Sequence, residues 1–406
     1  MNNIQIIGPF RQIITLEGLP MKGVINDEEI LIKENSYVVI EGDQITDVLS
    51  SLPKNTNEFT FHEISGDHIL IPGLIDCHTH MVWGGNRAKD YSMRMAGKTY
   101  QEILATGGGI FDSVNKTQKA NKSDLKESLT ARVKCQLKDG ITTMEVKSGY
   151  GLEPNHEVKL LEVVKEVSNE MTVDLVPTCL ATHVSPKGWD KKEFVETVLK
   201  ELLPQLKENG LSNRVDIFVE DNAFPIDLAD YYLGKAKELG FDITVHADQF
   251  TTGGSELAVK HGALSADHLE ASTDKEIEML AASDVVAVAL PGASIGLGMH
   301  FTPARKLLDA GASVAISTDW NPGSAPMGDL LVQASILGIY EKLSSAELLA
   351  GMTFRAAKAL GLSDRGRLSA GYLADMIAFP VADYREIFYN QGRIKPNMVW
   401  KKGALL

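Results

Sequence analysis

The feature that most constrains the fold is an alternation, between residues 68 and 319, of short apolar runs with stretches of helical periodicity. Strands that alternate with helices are typical of parallel sheets. Eight such units favour a (β/α)8 barrel over an open doubly wound sheet, which usually has fewer strands and an early glycine-rich phosphate turn. The open sheet is the alternative. The eight candidate strands are residues 68–80, 141–148, 173–183, 214–221, 241–248, 263–269, 284–292 and 313–319.

The two ends of the chain have a different pattern from the middle. The first 65 residues and the C-terminal region carry short alternating apolar runs divided by turn-forming residues. This pattern is typical of antiparallel strands joined by hairpins. Because each short set of strands would bury little apolar surface alone, we expect both ends to build one small β-sandwich. The predicted domains are a β-sandwich of residues 1–70 and 358–406, and a barrel of residues 71–357.

Composition restricts the class of protein. The chain has 406 residues, of which 44% are hydrophobic, enough for a large buried core. Its 40 basic and 54 acidic residues give a net charge of −14, so we expect neither nucleic acid nor an anionic membrane as a partner. An anionic substrate would therefore need a local cationic group.

The sequence also predicts a cytoplasmic protein. No apolar run approaches the roughly 20 residues that span a bilayer, and the N-terminus lacks the basic start and apolar core of a signal peptide. The cysteines, Cys77, Cys135 and Cys179, are three in number and lack CxxC spacing. Neither a disulfide framework nor a thiolate metal site is indicated.

Polar side chains recur where the candidate strands end. In a parallel barrel the functional groups lie at the C-terminal ends of the strands. Five of the ten histidines fall on or just beyond such an end, where a structural position would usually hold an apolar side chain. The polar residues at these ends are His78, His80, Lys147, Tyr150, His183, Glu220, His246, His268 and Asp319.

His78 and His80 indicate a metal site. They are two residues apart, and since a strand has a period of two, both imidazoles project to the same side, into the barrel mouth. With His246 and Asp319 they would form a nitrogen-rich site for zinc or iron, with one position open for water. An HxH pair by itself occurs often by chance. The prediction depends on its joint occurrence with a histidine and an aspartate at the ends of separate later strands.

His268 and Glu220 have open roles at this stage. A histidine near an activated water is the usual general base, because its unperturbed pKa lies near the working pH. The alternative for His268 is a supporting or core histidine. Glu220 is either an acceptor for a site residue or a strand cap.

Taken together, these residues resemble a known family. PGLIDCHTH, the single histidine of VHAD, the histidine of SADHL and the aspartate of STDWNPGS resemble the metal-dependent amidohydrolase superfamily, in which a split β-sandwich accompanies the barrel. GGNR, TGGGI, VKSGYGL and DWNPGS are most similar to the imidazolonepropionases. The resemblance covers nearly the whole chain. HxH is generic to the superfamily, whereas KSGYG and DxNPGS are much more specific.

The resemblance implies hydrolytic opening of an imidazolone ring that carries a propionate, giving formiminoglutamate in histidine degradation. It implies that a metal activates water, His268 accepts the proton, His183 polarises the ring carbonyl and Asp319 passes a proton to the leaving nitrogen. The base stays open between His268 and Asp319. Homodimers are common among relatives, so we expect one. The implied residues are His78, His80, His246 and Asp319 for one divalent ion, and Arg87, Tyr150, His183, Asn321, Gly323 and Ser324 for a small anionic cyclic substrate.

Position 249 departs from the family pattern. Where the family has a glutamate after the histidine of the fifth strand, this chain has Gln249. A carboxylate there can accept a ring N–H and take up a proton, whereas an amide cannot ionise but can both donate and accept. Asp248 is not expected to substitute, because neighbouring strand residues point to opposite sides.

Two interpretations of the substrate follow from Gln249. In the first, the chain opens imidazolone propionate with Gln249 among the catalytic residues. In the second, it acts on a hydantoin- or thiohydantoin-propionate, and Gln249 donates a hydrogen bond to the carbonyl or thiocarbonyl that replaces the imidazolone C–H. A deaminase and a non-catalytic metal-binding barrel are further alternatives.

Overall fold

The computed structural model describes residues 4–54 and 59–406, and its strands form two sheets. One sheet contains strands from both ends of the chain, and the other is the barrel. The strands are β1 (Ile4–Ile14), β2 (Ile32–Glu41), β3 (Gln44–Leu49), β4 (Thr60–Glu63), β5 (Ile69–Pro72), β6 (Leu74–Asp76), β7 (Ile141–Lys147), β8 (Asp174–Thr182), β9 (Arg214–Ile217), β10 (Asp242–Ala247), β11 (Ser265–His268), β12 (Val286–Ala289), β13 (Ser313–Ile316), β14 (Met376–Phe379), β15 (Met398–Lys401) and β16 (Ala404–Leu405).

Helices alternate with the barrel strands from β6 onward. A π-helical turn at Val198–Leu202 joins α6 to α7. The α-helices are α1 (Ala88–Met95), α2 (Tyr100–Ala105), α3 (Ile110–Lys119), α4 (Lys122–Lys138), α5 (Pro154–Glu170), α6 (Lys191–Thr197), α7 (Leu203–Glu208), α8 (Ile226–Glu238), α9 (Gly254–His261), α10 (Asp274–Ala282), α11 (Pro291–Leu297), α12 (Ala304–Asp309), α13 (Leu330–Glu341), α14 (Ser345–Gly351), α15 (Phe354–Ala359) and α16 (Glu386–Tyr389).

The barrel consists of β6 to β13, paired in chain order and parallel at every neighbouring pair. A bridge between Thr79 and Trp320 joins the first and last strands just beyond their ends. The (β/α)8 prediction is therefore confirmed over the open sheet. Every residue of β7 is buried, as expected for a parallel strand covered on both faces.

The first candidate strand, residues 68–80, was wrong as a single element. The structure divides it at Gly73 into β5, which pairs with β1 and β14 of the terminal sheet, and β6, which pairs with β7 of the barrel. The division is possible because a Cβ at Gly73 would lie 2.4 Å from Thr142 Oγ1, so only glycine allows this approach. His78 and His80 consequently lie in an extended segment beyond β6.

The helix layer follows from amphipathic patterning. Helix α5 begins with Pro154 at its first position and buries Leu160, Leu161 and Val164 against the barrel core. Its exposed face carries Glu166, which pairs with Lys122 at 2.7 Å. Helices α4, α5 and α8 occupy stretches of the helical periodicity that alternates with the candidate strands.

The terminal sheet has the order β16-β15-β14-β5-β1-β2-β3, with β4 paired to β1. The predicted association of both ends is confirmed, and the sheet is continuous. It encloses its own small core, in which Ile40 of β2 and Trp400 of β15 belong to one cluster and Phe10 packs edge-on against Trp400 at 6.1 Å. The opposite face, including Ile71 and Phe379, packs against the main barrel core.

Over residues 4–54 and 59–406, no helix combines the length and the apolar character that crossing a membrane requires.

Candidate active site

One cavity at the C-terminal mouth of the barrel brings the predicted residues together. His78 lies directly beside it, with its ring 4.5 Å from that of His246. Gly323 lies against the Arg87 guanidinium, since a Cβ there would fall 1.1 Å from Arg87 Nη2. All of the predicted site residues lie in or beside this cavity. The residues lining it are His80, Arg87, Ile110, Tyr150, His183, Phe218, His246, Gln249, His268, Asp319, Asn321 and Ser324.

The four proposed metal ligands converge on one point. His80 Nε2 lies 3.3 Å from Asp319 Oδ1, and His78 Nε2 lies 3.6 Å from the same oxygen. His246 Nε2 lies 3.3 Å from His80 Nε2. All four side chains are buried. The arrangement matches a mononuclear site of three imidazoles and one carboxylate.

Hydrogen bonds on the far side of two rings fix which nitrogen faces this point. His246 Nδ1 donates to Asp216 Oδ2 at 2.7 Å, and His78 Nδ1 donates to Asp267 Oδ2 at 2.7 Å. Each ring therefore presents Nε2 as a lone pair. His78 Nε2 is buried and has no hydrogen-bond partner among the described residues. A divalent cation fits this donor set.

Electrostatics keep the histidines in the form that binds metal. Burial, which disfavours the charged imidazolium, lowers the pKa of His80 to about 3 and that of His246 to about 4. For His246 the Asp216 carboxylate acts in the opposite direction and limits the shift. Neutral imidazole is the ligating state, so no proton has to be displaced near neutral pH.

A fully buried ammonium lies behind the proposed metal ligands. Lys147 Nζ is 2.8 Å from Asp216 Oδ2, 2.8 Å from Glu145 Oε2 and 3.7 Å from Asp267 Oδ2. Burial by itself lowers the pKa of Lys147, but Asp216, Glu145 and Asp267 outweigh it and raise the pKa. The ammonium is therefore charged and balances these buried carboxylates.

His268 has a carboxylate partner of its own. The backbone at His268 and Leu269 is left-handed, with φ of 85° and 70°, and this turn places Glu270 Oε1 3.4 Å from His268 Nδ1. Ser294 Oγ donates to the same Glu270 oxygen at 3.3 Å. Burial by itself lowers the pKa of His268, but Glu270, Asp319 and Asp267 raise it above the ordinary value. His268 is thus equipped to take up a proton.

The cavity has one cationic wall, formed by Arg87. Its Nε is buried without a hydrogen-bond partner among the described residues. The loop against it is organised by Asn321, whose Oδ1 accepts from the N–H of Gly323 at 2.7 Å and of Ser324 at 2.8 Å. Asn321 Nδ2 donates to the Asp319 carbonyl at 2.7 Å. Asn321 therefore shapes the cavity wall and ties it to a proposed metal ligand.

Tyr150 is held by a buried carboxylate. Glu157 accepts hydrogen bonds from the backbone N–H of Gly149 at 3.0 Å, Gly151 at 2.7 Å and Leu152 at 2.7 Å. Burial raises the pKa of Glu157, and these bonds act in the opposite direction. The carboxylate thus fixes the loop that carries Tyr150 into the cavity.

His183 packs within the imidazole cluster. Its ring stacks on that of His80 with centroids 5.3 Å apart and 23° between the planes. His183 Nδ1 faces the Gly149 carbonyl at 3.3 Å, so Nδ1 carries the proton and Nε2 is a lone pair. Burial lowers the pKa of His183 well below its ordinary value, which keeps the ring neutral.

Gln249 lines the cavity, whereas its neighbour does not. The Asp248 carboxylate accepts from Ser255 Oγ at 2.5 Å and Ser272 Oγ at 2.8 Å, away from the site. The Asp248 side chain thus points away from the cavity, as expected, although it lies just beyond β10 in a left-handed conformation and not within the strand. Glu220 accepts from the N–H of Phe250 and Thr251, which assigns it to holding the turn after Gln249.

Sequence reasoning missed several residues around the cavity. Asp216 and Asp267 carried a signal, because each is a charge inside an apolar candidate strand. Glu270 and Glu157 carried none, because their roles depend on loop conformation. Two apolar lining residues, Ile110 and Phe218, were also not foreseen.

The fold and site define a class: a metal-dependent hydrolase barrel with an appended β-sheet. Comparison with known proteins agrees. A model described as "Amidohydrolase family" matches residues 69–406, more than half of the chain. Imidazolonepropionase of Bacillus cereus strain G9842 is 38% identical over 404 residues, covering 97% of this chain and 94% of that protein. Imidazolonepropionase of Deinococcus radiodurans is 42% identical over 346 residues, covering 85% and 86%. The chain belongs to the amidohydrolase family and, within it, to the imidazolonepropionases.

Solved structures share the fold at low sequence identity. An atrazine chlorohydrolase variant from Arthrobacter aurescens is 18% identical with a TM-score of 0.77, covering 99% of this chain and 95% of that chain. An ochratoxinase from A. niger is 17% identical with a TM-score of 0.70, covering 100% and 95%. These similarities support the barrel with its terminal sheet.

Proposed function

We propose that this chain opens the ring of 4-imidazolone-5-propionate to give N-formimino-glutamate, the ring-opening step of histidine degradation. The observation that carries the proposal is the juxtaposition, in and beside one cavity, of the four candidate metal ligands, the proton acceptor His268 and Arg87, whose Nε has no hydrogen-bond partner among the described residues. A small ring with a carboxylate arm matches that arrangement. The similarity to imidazolonepropionases of Bacillus cereus and Deinococcus radiodurans supports the same substrate.

In the proposed complex, Arg87 binds the propionate. Its guanidinium can form two parallel bonds to a carboxylate, and Gly323 leaves the space in which that guanidinium lies. Tyr150 and Ser324 line the same cavity and would contact the substrate. Because neutral His183 presents Nε2 as a lone pair, it accepts a hydrogen bond from a ring N–H of the substrate. The geometry thus favours this role over the polarisation of the ring carbonyl that the family resemblance implied.

In the proposed reaction, His268 takes the proton from the attacking water, because its raised pKa and its Glu270 partner favour the protonated imidazole. Asp319, with a carboxylate oxygen within 4.8 Å of a His268 ring nitrogen, receives this proton from His268 and passes it to the leaving nitrogen as the bond between that nitrogen and the ring carbonyl carbon breaks. When bound, a divalent metal supplies Lewis-acid activation of water and of the ring carbonyl. His78, His80, His246 and Asp319 would hold it, as zinc or iron.

Steady-state kinetics with purified enzyme test the proposal. We expect loss of imidazolone propionate, appearance of formiminoglutamate and no release of ammonia, which separates ring opening from deamination. Removal of metal by a chelator should abolish turnover, which would exclude a non-catalytic barrel. His246→Ala should lose the metal while staying folded, and a variant with full metal content would overturn the ligand assignment.

Gln249 supports a second substrate. An amide can donate to a carbonyl or thiocarbonyl, so a hydantoin- or thiohydantoin-propionate would gain a hydrogen bond that imidazolone cannot accept. The comparison is kcat/KM for both rings with one preparation. A much lower value for imidazolone than for the hydantoin would assign the chain to the second substrate and contradict the first.

We further propose a homodimer acting in the cytoplasm, with domains of residues 1–70 plus 358–406 and of residues 71–357. Ile339 and Tyr340, exposed on α13 by 64% and 67%, offer apolar surface for a second copy. Free cysteines accord with a reducing compartment. Sedimentation of the purified chain tests the dimer.

A further inference from the structure

We propose that Lys147 is a positioning residue of the metal site, which fixes two ligand histidines by holding the carboxylates behind them. The inference rests on the proposed metal site and deepens it. Lys147 touches none of the cavity, and the proposed reaction gives it no role. Its side chain is nevertheless fully buried, which is costly for an ammonium unless the surrounding structure requires it.

The geometry links Lys147 to two ligands through two carboxylates. Asp216 Oδ2 is 2.8 Å from Lys147 Nζ and accepts from His246 Nδ1 at 2.7 Å. Asp267 Oδ2 is 3.7 Å from the same Nζ and accepts from His78 Nδ1 at 2.7 Å. The Lys147 ammonium therefore lies between Asp216 and Asp267, the carboxylates that hold His246 and His78.

Besides Lys147 and its histidine ring, each carboxylate has one more hydrogen bond among the described residues. Asp216 Oδ1 accepts from the His246 backbone N–H at 3.0 Å, and Asp267 Oδ2 accepts from Thr244 Oγ1 at 2.9 Å. Without the ammonium, Asp216 and Asp267 would lose the group that lies between them, and each carboxyl group would be free to move. Each movement would carry away the acceptor of a ligand Nδ1–H, so that the imidazole would rotate or change tautomer. Metal affinity should fall although every ligand is still present.

Glu145 provides a matched control. Glu145 Oε2 is also 2.8 Å from Lys147 Nζ and is equally buried, but its other oxygen accepts from Thr178 Oγ1 and lies 3.6 Å from Arg214 Nη2; among the described residues it has no histidine partner. The charge balance around Lys147 can therefore be changed at Glu145 without disturbing either acceptor of a ligand histidine. Glu145→Gln also permits a charge-matched double variant, Lys147→Met with Glu145→Gln, which removes one positive and one negative charge together.

The experiment measures zinc affinity by competition between apo-protein and a chromophoric chelator, with no turnover involved. We expect Lys147→Met, and the double variant relative to Glu145→Gln, to weaken zinc binding by about 10- to 100-fold. Glu145→Gln alone should stay within about threefold of wild type, because both histidine acceptors remain. Thermal unfolding of each apo-protein shows whether it is folded. If Lys147→Met does not fold, the comparison of Glu145→Gln with the double variant carries the test.

Other outcomes would overturn the inference. Unchanged zinc affinity with a lower unfolding temperature would make Lys147 only a structural residue. A loss in Glu145→Gln as large as that in Lys147→Met, or full recovery in the double variant, would assign the effect to net charge instead of positioning. Wild-type protein that binds no zinc would instead contradict the proposed metal site itself.

Discussion

Replacing Gly323 by alanine tests whether Arg87 holds the substrate. The new Cβ would lie 1.1 Å from Arg87 Nη2 and 2.3 Å from Cζ, whereas atoms in contact are about 3.5 Å apart. The guanidinium must therefore move by about 2 Å, which a flexible side chain can do at little cost to the fold. Losing two charge-assisted bonds to the propionate would cost about 3–6 kcal/mol. That corresponds to a fall of about 10²- to 10⁴-fold in kcat/KM.

The assay compares two substrates, imidazolone propionate and an analogue in which a methyl group replaces the carboxylate. We expect Gly323→Ala to lose activity on the first and to match wild type on the second. Gly234→Ala is the control, because a Cβ added at Gly234 would meet its nearest neighbour, on His261, at 3.6 Å, an ordinary contact distance. Wild-type kcat/KM on both substrates, or an equal loss on both, would refute the assignment of Arg87 as the carboxylate anchor.

Three further predictions concern the residues around the cavity. Glu157→Ala leaves three buried N–H groups without an acceptor, at a cost of about 1–3 kcal/mol each. Urea unfolding should therefore show a large loss of stability, and KM should rise because Tyr150 shifts. An unchanged urea midpoint would contradict this prediction. Glu270→Gln removes a charge that raises the pKa of His268, so the pKa of His268 should fall. The acid limb of the profile of kcat/KM against pH should then move to lower pH. An acid limb at the wild-type pH would exclude His268 as the base. Metal removal should lower the free energy of unfolding by about 2.7 kcal/mol relative to protein with free metal at 100 times Kd, and identical denaturation curves would argue against a bound ion.

The proposed metal ligands could be identified from the sequence because residues at the C-terminal ends of parallel barrel strands become neighbours in the fold. His78, His246 and Asp319 are far apart in the chain, but each lies on or just beyond the C-terminal end of a different barrel strand, and parallel strands end at one mouth. The supporting charges were not predictable in the same way. Asp216 on β9 contacts His246 on β10 and Lys147 on β7, so its role depends on the order and register of the strands.

Loop conformation explains the other residues that the sequence did not reveal. Glu270 meets His268 only because His268 and Leu269 both adopt left-handed backbone conformations. Neither is a glycine, the residue that would indicate such a turn in the sequence. The division of residues 68–80 has the same origin. A single apolar run contributes one strand to each of the two sheets, because Gly73 lets the chain pass close to Thr142. Neither the hydrophobicity nor the periodicity of the sequence indicates that contact.

The junction between the first and last strands of the barrel, its seam, lies at the same place as the proposed metal ligands. Strand β6 has only three residues, and its connection to the last strand depends on Asp76, which accepts from Ser317 Oγ and from both the N–H and Oγ1 of Thr318. Two backbone bonds then continue the seam, from the N–H of Asp319 to His78 O and from that of His80 to Trp320 O, each 3.0 Å. Three of the four proposed ligands lie on these bonds. A metal held there would cross-link the first and last strands at the point where strand pairing is shortest, so the ion would close the barrel as well as serve the reaction.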